Sequence, residues 1–505
     1  MPDRYIKKIL QARVYDVAVE SPLHEMGQIS RRIGNRVLLK REDLQPVFSF
    51  KLRGAYNKIV NLSPEQQQRG VICASAGNHA QGVALSASFL GLKSIIVMPR
   101  TTPDIKVRSV RDRGGRVVRH GDSFDEALAH ARELEERDKL TFVHPYDDAE
   151  VIAGQGTVGM EILRQHSGEL DAVFLPVGGG GLAAGVAAYI KHLRPNVRII
   201  AVEPEDAACL KAAMEKKRRV VLPEVGLFAD GVAVKQIGKE TFRILRECVD
   251  EVITTTTDEI CAAIKDIFED TRSIAEPAGA LALAGLKKWV AKHEAEGKTL
   301  VAVHSGANVN FDRLRHIAER AEVGEQREAL LAVTIPERPG SFRQFCQTLG
   351  RRAITEFNYR YRDAREATVF VGVQIQPGSD DLSSLVQALE DKGYPVLDMT
   401  SNEMAKLHIR HMVGGRTVAP DVDEVLYRVE FPERPGALLR FLMALGGKWN
   451  ISLFHYRNHG AAYGRVLVGF QVPAGEQARL RRELKDVPYP MTEESDNPAY
   501  RLFLD

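Results

Sequence analysis

A lysine between two large apolar residues is the first group in this sequence that could do chemistry. Lys51 stands in the segment Ser49-Phe50-Lys51-Leu52-Arg53-Gly54-Ala55. Partial removal of an ammonium group from water lowers the pKa of a lysine and makes its amine a usable nucleophile toward an aldehyde. A solvated lysine at the start of a helix is the alternative, and for this segment taken alone it is the commoner one.

Two turns that follow predicted strands could bind anions. Ser75-Ala76-Gly77-Asn78-His79 follows a strand predicted at 71–74, and Gly178-Gly179-Gly180-Gly181-Leu182 follows one at 172–175. A turn from a strand into a helix presents backbone N–H groups at the positive end of the helix dipole. The first turn suits a carboxylate and the tetraglycine turn, Gly178 to Gly181, suits a phosphate. For the first turn, a purely structural helix cap is an equal alternative.

The tetraglycine turn also fits a dinucleotide-binding fingerprint. Gly178-x-Gly180-x-x-Ala183 is followed by Glu203, an acid placed where a ribose hydroxyl would bind, so a nicotinamide-dependent dehydrogenase is a competing class. Such a fingerprint normally opens its domain and has a non-glycine residue after its first glycine. The dehydrogenase class also leaves Lys51 and Asn78 without a role.

The elements that must position these residues alternate along the chain up to about residue 320. Short β-branched runs and longer helical patterns predict an α/β region with parallel sheet, helices on both faces and ligands at the carboxyl ends of the strands. The uncharged stretch 172–190 contains Pro176 and the four glycines, so we predict a buried strand, turn and helix there instead of a membrane span. Strands are predicted at 37–39, 71–74, 94–98, 141–143, 172–175, 199–202 and 300–303, and helices at 125–139 and 258–269.

The remainder of the chain repeats itself. The segment PERPG at 336–340 returns at 432–436, 96 positions later, and Tyr359 returns as Tyr456 at a spacing of 97. A duplication of one α+β module explains both. We predict a first domain at 1–320, a helical connector without strand at 314–329, and modules at 328–412 and 423–505 joined by a hinge at 413–416. Each module is predicted as strand, turn, helix, strand, hairpin, strand, helix, strand.

Composition argues against several other classes of protein. The 505 residues carry 69 Lys and Arg against 67 Asp and Glu, a net charge of +2 that gives no reason to expect nucleic acid as a partner. The five cysteines contain no CxxC pair, which predicts reduced thiols in the cytoplasm and no metal centre. The N-terminal segment has no apolar core, so we expect neither a signal peptide nor a membrane partner.

Five ordered motifs carry a resemblance to a known family. The Lys51 segment, the Asn78 turn, the tetraglycine turn, Glu276-Pro277-Ala278-Gly279-Ala280 and Ser305-Gly306-Ala307-Asn308 occur in the order seen in fold-type II pyridoxal-phosphate enzymes. The set most resembles the threonine dehydratases, and the duplicated module resembles the tandem ACT-like regulatory domain of their biosynthetic form. The resemblance implies a two-lobed, parallel-sheet catalytic region of the tryptophan synthase β-like type, followed by an α+β regulatory region. One departure is His304, where a smaller or apolar residue is expected.

The resemblance implies roles for individual residues. Lys51 would hold pyridoxal 5'-phosphate as an imine and act as the base at Cα of the substrate. The phosphate would lie on the tetraglycine turn and Leu182, the ring hydroxyl on Asn78, and the ring against Phe50, with Ser305 at the pyridine nitrogen. Ser75, Ala76, Gly77, Asn78 and His79 would receive the substrate carboxylate. Glu276 would either orient groups near the cofactor or cap the helix that starts at Pro277.

The same resemblance implies a substrate and a mode of regulation. L-Threonine would be deaminated to 2-oxobutanoate and ammonia, and L-serine to pyruvate, with isoleucine as feedback inhibitor and valine as its antagonist. Tyr359 and Tyr456 are the candidate effector residues, although both could be ordinary strand aromatics, and a homotetramer is expected. A broad serine/threonine dehydratase, a β-replacing enzyme of the same fold and a catalytically idle amino-acid sensor remain as alternatives.

Overall fold

The chain divides near residue 321. The computed structural model describes residues 3–325, 327–336, 345, 348–349, 352, 354–361, 366–376, 381–411, 422–432, 449–457 and 463–503. Its contacts group Met1–Ala321 into one unit and Glu322–Asp505 into another. The limits of the two modules stay predictions.

A six-stranded sheet forms the larger lobe of the first unit. Its strand order is β1-β2-β10-β7-β8-β9, and every neighbouring pair is parallel except β1 with β2. The central strands are buried along nearly their whole length, as parallel sheets covered on both faces require. The strands are β1 Leu23–Glu25, β2 Arg36–Arg41, β7 Ala172–Pro176, β8 Arg198–Pro204, β9 Glu251–Thr255 and β10 Thr299–His304.

A separate four-stranded parallel sheet forms the smaller lobe. Its order is β5-β4-β3-β6, with β3 and β4 buried throughout. The first unit therefore has the two parallel-sheet lobes that the resemblance implies, and a cleft between the carboxyl ends of their strands can hold a ligand. The strands are β3 Val71–Ala74, β4 Ser94–Met98, β5 Arg116–Arg119 and β6 Thr141–Phe142.

Helices cover both faces of each sheet, and side-chain caps fix where several of them begin. Asp148 accepts the N–H groups of Glu150 and Val151, and Thr256 forms a capping box with Glu259. The helices are α1 Asp3–Leu10, α2 Gly27–Ile33, α3 Lys51–Val60, α4 Pro64–Arg69, α5 Asn78–Phe89, α6 Asp104–Arg111, α7 Phe124–Asp138, α8 Ala149–Gln165, α9 Gly181–Leu193, α10 Cys209–Glu215, α11 Lys239–Cys248, α12 Thr257–Thr271, α13 Pro277–His293 and α14 Leu314–Gly324. Within the described ranges, no helix has the length and apolar character needed to cross a bilayer.

A buried group of charges, the Arg53 cluster, holds α3 against the larger lobe. It consists of Arg53, Glu42, Glu161 and Lys40, whose side chains are all fully buried. Arg53 lies 2.7 Å from Glu42 and 2.6 Å from Glu161, and Lys40 lies 2.6 Å from Glu161. Because these residues come from β2, the turn after it, α3 and α8, the cluster fixes the position of the helix that starts at Lys51.

The second unit contains two four-stranded antiparallel sheets, ordered β12-β13-β11-β14 and β16-β17-β15-β18. The register of β12 shifts between Ile354 and Glu356, and that of β16 shifts between Ile451 and Leu453, so the duplication preserves a bulge. The elements are β11 Glu328–Pro336, β12 Ile354–Tyr361, β13 Glu366–Gln374, α15 Asp381–Glu390, β14 Val396–Asp398, α16 Glu403–Leu407, β15 Val422–Pro432, β16 Asn450–Arg457, β17 Tyr463–Pro473, α17 Gln477–Leu484, β18 Met491–Glu493 and α18 Pro498–Phe503.

The structure confirms all seven predicted strands and both predicted helices in the first unit, with small shifts at the ends. Strands β1, β5 and β9 are not predicted from the sequence, because they are short or only partly buried and so lack a continuous apolar run. The connector prediction was wrong at its end, because β11 begins at Glu328. Most of each PERPG turn, most of the helices predicted directly after these turns and the whole hinge at 413–416 lie outside the described residues.

Candidate active site

The segment before α3 pairs with the segment after β10. The backbone N–H of Phe50 donates to the carbonyl of Ser305 at 3.3 Å, and that of Ala307 donates to the carbonyl of Phe48 at 2.9 Å. Ser49 and Gly306 form an isolated antiparallel bridge between these bonds. The pairing brings Lys51 and Ser305, which are distant in sequence, to one cavity.

The amine of Lys51 has the character expected of a nucleophile. Its Nζ donates to the carbonyl oxygen of Pro145 at 3.2 Å and lies 5.2 Å from the centroid of the Phe50 ring. Burial lowers the pKa of Lys51 to about 8, although the carboxylate of Glu276 acts in the opposite direction. A substantial fraction of this amine is therefore neutral near pH 7 to 8.

The tetraglycine turn forms a second wall of the cavity. Gly180 has φ of +90° and stands at the N-cap of α9, which has no side-chain cap, so the first N–H groups of this helix are open to an anion. A Cβ atom on Gly179 would stand 2.1 Å from the Tyr146 ring. Side chains at this turn are therefore excluded on steric grounds, and the backbone itself faces the cavity.

Two residues that sequence analysis missed hold the tetraglycine turn in place. Thr241, in the first turn of α11, donates its hydroxyl to the carbonyl of Gly179 at 2.7 Å. Tyr146 packs over Gly179 and lines the cavity. Neither belongs to a recognisable motif, since their role depends on the approach of α11 and of the loop before α8 to the turn.

Asn78 joins the two lobes at the cavity. Its Nδ2 donates to Glu276 Oε1 at 2.6 Å, and its Oδ1 accepts from Asn308 Nδ2 at 2.7 Å. The second N–H of this amide can donate a hydrogen bond to the ring hydroxyl oxygen of pyridoxal 5'-phosphate, the role that the resemblance implies for Asn78. Burial and the charge of Asp230 raise the pKa of Glu276 to about 7. Glu276 is the N-cap residue of α13 but forms no side-chain cap, so its carboxylate contacts Asn78 instead.

The turn before α5 can bind an anion through its backbone but not through the side chain of His79. Ser75, Ala76 and Gly77 lead into α5, whose N-cap residue Gly77 offers no side-chain cap to the helix. The side chain of His79 points elsewhere, because its Nε2 contacts the carbonyl oxygen of Val143 at 2.8 Å. Burial lowers the pKa of His79 to about 3, so the imidazole is neutral and only its backbone can serve an anion.

Ser305 directly follows the last residue of β10 and lines the cavity. Its hydroxyl is buried and donates to the carbonyl of Ala278 at 3.2 Å. The preceding residue, His304, is fully buried, and its Nε2 lies 3.6 Å from Asp43 Oδ2. Burial lowers the pKa of His304 to about 4, so a neutral imidazole fills the position where a smaller or apolar residue was expected.

Glu203 does not face the tetraglycine turn as a ribose-binding acid would. Its carboxylate is fully buried and accepts the backbone N–H groups of Leu210 and Lys211 at 2.7 and 2.8 Å. It therefore caps the N-terminus of α10. This contact removes the residue on which the dinucleotide alternative depended.

Comparisons with known proteins agree with the chemistry of the cavity. Residues 15–306 match the family described as pyridoxal-phosphate dependent enzyme, and residues 319–409 and 415–504 match the C-terminal regulatory domain of threonine dehydratase. The protein is therefore, by class, a pyridoxal-phosphate-dependent enzyme with a regulatory domain.

Curated relatives narrow this class. The chain is 56% identical to the biosynthetic L-threonine dehydratase IlvA of Burkholderia multivorans, over 99% of each chain, and 56% identical to that of Escherichia coli, over 99% of this chain and 97% of the relative. Processed threonine deaminase isoform 2 of Solanum lycopersicum is 49% identical with a TM-score of 0.62, over 63% of this chain and 93% of its own. The chain belongs to the family of biosynthetic threonine dehydratases, which confirms the resemblance drawn from the five motifs.

The candidate effector residues lie in corresponding strands of the two sheets. Tyr359 is in β12 opposite Val369, and Tyr456 is in β16 opposite Val466, so the spacing of 97 is kept in the strand pairing. The side chains of both tyrosines lie outside the described part of the structure. Their assignment stays a prediction.

Proposed function

We propose that this protein converts L-threonine to 2-oxobutanoate and ammonia, the first step of isoleucine biosynthesis, with pyridoxal 5'-phosphate as cofactor. The observation that carries this proposal is the Lys51 amine of lowered pKa, facing the tetraglycine turn and Ser305 across one cavity. It occurs in a chain that matches biosynthetic threonine dehydratases along nearly its whole length.

The residues present fit the parts of the cofactor. The first N–H groups of α9, at the tetraglycine turn and Leu182, would bind the phosphate, because an uncapped helix N-terminus favours an anion. The free N–H of Asn78 would bind the ring hydroxyl, and Phe50 would pack on the ring. When bound, the cofactor supplies an aldehyde that accepts an amino group and a ring that withdraws electrons from Cα.

Lys51 and Ser305 would determine which reaction follows. With a pKa of about 8, the Lys51 amine is basic enough to take the proton from Cα. Because this pKa is close to neutral pH, part of the amine is unprotonated and can accept that proton. A hydroxyl at position 305 cannot hold a proton on the pyridine nitrogen as a carboxylate would. This arrangement favours departure of the β-hydroxyl as the Cα proton leaves, and the released enamine hydrolyses in water to the 2-oxo acid and ammonia.

The turn at Ser75, Ala76, Gly77, Asn78 and His79 would bind the substrate carboxylate through its backbone. L-Serine fits the same groups, since it differs from threonine by one methyl group. A broad serine/threonine dehydratase is therefore the second candidate, with the same chemistry and a less selective pocket. A single methylene contributes about 1 to 3 kcal/mol to such discrimination.

We infer that the second unit binds the regulatory ligands. Isoleucine would inhibit the enzyme, and valine would counteract this inhibition. Tyr359 and Tyr456 would lie at the effector-binding sites. The protein would work as a homotetramer in the cytoplasm. The supporting observation is the paired architecture of the unit, in which each sheet repeats the other strand for strand.

The near-visible absorption spectrum of the purified protein tests the proposed function. We expect a band of bound cofactor that shifts when threonine is added and 2-oxobutanoate that accumulates in step with ammonia. Comparison of kcat/KM for threonine and serine then separates the two candidates. A protein that shows no such band, or that reduces a nicotinamide cofactor instead, would overturn the proposal.

A further inference from the structure

The loop 227–232, between α10 and α11, forms part of the cavity wall. Gly231 and Val232 line the cavity, and the short helical turn Asp230–Val232 lies within the loop. A Cβ atom on Gly178 would stand 2.8 Å from Val232 Cα, so the loop packs directly on the tetraglycine turn. A small displacement of this loop would therefore move the backbone that faces the cofactor site.

The same loop reaches the smaller lobe. Asp230 Oδ2 lies 2.7 Å from Nζ of Lys106 in α6. Asp230 also raises the pKa of Glu276, the partner of Asn78. The position of Asp230 thus affects both the contact between the lobes and the charge next to Asn78.

Arg313 holds the same loop through two of its backbone carbonyls. Its side chain is buried, with Nη1 donating to the carbonyl of Phe228 and Nη2 to the carbonyl of Leu227, both at 3.1 Å. Nη1 also lies 3.6 Å from Asp230 Oδ1. The planar guanidinium holds two carbonyls at a fixed spacing, whereas a lysine ammonium has freely rotating donors and cannot fix that spacing.

Arg313 is joined by one peptide bond to α14, and α14 leads into the second unit. Strand β11 begins at Glu328, a few residues after the end of α14 at Gly324. Inside the first unit, the His316 ring of α14 meets the Phe228 ring edge-on at 5.8 Å. A shift or rotation of α14 is therefore transmitted to the loop through both Arg313 and Phe228.

We propose that Arg313 is the positioning residue through which the effector-bound state of the second unit changes the geometry of the catalytic cavity. This proposal rests on the feedback regulation proposed above. The physical basis is the path from α14 through the Arg313 guanidinium to loop 227–232, the tetraglycine turn and Lys106. If α14 differs in position between two states of the protein, an effector that binds these states with unequal affinity would shift the loop between two arrangements. A misplacement of about 1 Å at a reacting centre can cost about 100-fold in rate.

The test compares binding of isoleucine with its effect on threonine turnover in the full-length holoenzyme. In the wild type, calorimetry gives the isoleucine dissociation constant, and steady-state assays give the factor by which isoleucine weakens apparent threonine affinity, about 5 to 150 for typical allosteric coupling. For Arg313→Ala we expect isoleucine binding within about twofold of wild type and a coupling factor that falls to about 1. Arg315→Ala is the matched control, since Arg315 is exposed on α14 and forms an ion pair with Glu319.

A second, more conservative variant tests the proposal even if Arg313→Ala does not fold. Arg313→Lys retains the charge but lacks the rigid pair of donors that fixes the spacing of the two carbonyls, so it should lose most of the coupling at an unchanged melting temperature. If isoleucine inhibits the wild type and both Arg313 variants equally, the role of Arg313 is overturned, whereas the proposed feedback regulation stands. A wild type that does not respond to isoleucine would overturn the proposed feedback regulation and this inference with it.

Discussion

The side chain of Asn78 donates to the carboxylate of Glu276 at 2.6 Å, which links the first turn of α5 in the smaller lobe to the N-cap of α13 in the larger lobe. Glu276 also raises the pKa of Lys51 by its charge. One carboxylate therefore contributes to the contact between the lobes and to the protonation of the proposed nucleophile.

Glu276→Gln should lower the pKa of Lys51 below its value of about 8, because the substitution removes the negative charge and keeps an oxygen for Asn78. The neutral amine is the form that reacts with the aldehyde of the cofactor. The rate at which cofactor-free protein takes up pyridoxal 5'-phosphate should therefore reach half its maximum at lower pH than in wild type. Growth of the near-visible band between pH 6 and 9 measures this rate. Glu65→Gln, at an exposed position of α4, should leave the profile unchanged, and an unchanged profile in Glu276→Gln would contradict the assignment.

Lys51→Ala should reduce formation of 2-oxobutanoate by at least about 1000-fold, because it removes both the attachment point and the proposed base. The measurement is a coupled assay of the 2-oxo acid, with the circular dichroism spectrum as a check of the fold. Lys58→Ala provides the control, since Lys58 lies on the same helix and forms an ion pair with Asp148. Turnover by Lys51→Ala close to that of wild type would exclude this lysine as the catalytic amine.

Gly179→Ala should weaken cofactor binding by about tenfold or more, corresponding to about 1.4 kcal/mol. The new Cβ atom would meet the Tyr146 ring, and the resulting shift would displace the N–H groups proposed to bind the phosphate. Equilibrium titration of cofactor-free protein measures the loss. Gly168→Ala, on an exposed turn, should bind normally. Equal affinities for the two variants would show that the turn does not bind the phosphate.

Ser305→Asp should favour transamination over elimination. A carboxylate opposite the pyridine nitrogen would keep that nitrogen protonated, which strengthens the electron-withdrawing ring. The ratio of pyridoxamine phosphate to 2-oxo acid, measured by chromatography after reaction with threonine, should rise above the wild-type value. Ser305→Thr keeps the hydroxyl and should keep the wild-type ratio. If the ratio is the same in Ser305→Asp, the hydroxyl does not have the proposed role.

Arg53→Met should lower the free energy of unfolding by about 3 to 5 kcal/mol at neutral pH, because Glu42 and Glu161 would remain buried without their main partner. Unfolding in urea, followed by fluorescence of Trp289 in a Trp449→Phe background, reports on the first unit. Arg164→Met is the control, since its ion pair with Glu20 is exposed and should contribute about 1 kcal/mol or less.

The effect of Arg53→Met should also depend on pH. Burial raises the pKa of Glu42, but Arg53 outweighs it and holds that pKa below the usual range, so the stabilisation is present above the pKa of an unfolded glutamate, about 4.3, and is lost as the pH falls. The difference between wild type and variant should shrink below pH 4. A difference between wild type and variant that stays constant as the pH falls from about 4 to about 2 would contradict this account.

Local sequence was sufficient for much of this fold and for the class of chemistry. The runs that became β3 and β4 were predicted to the residue, because a continuous apolar segment between turn signals can satisfy its backbone only in a buried strand. The motifs around Lys51, Asn78 and the tetraglycine turn are contiguous in sequence, so their identity and order could be recognised without a structure.

Tertiary structure alone decided which of these residues meet and in what state of charge. The pairing of Phe50 with Ser305, the hydrogen bond from Asn78 to Glu276 and the neutral state of His79 all depend on burial and on elements far apart in the chain. Thr241, Tyr146 and the carboxylates that pair with Arg53 carry no local signal, because a single polar residue gains its role only from what packs against it. Sequence determined the parts and their order, whereas desolvation and distance, which exist only in the folded chain, determined how those parts can act.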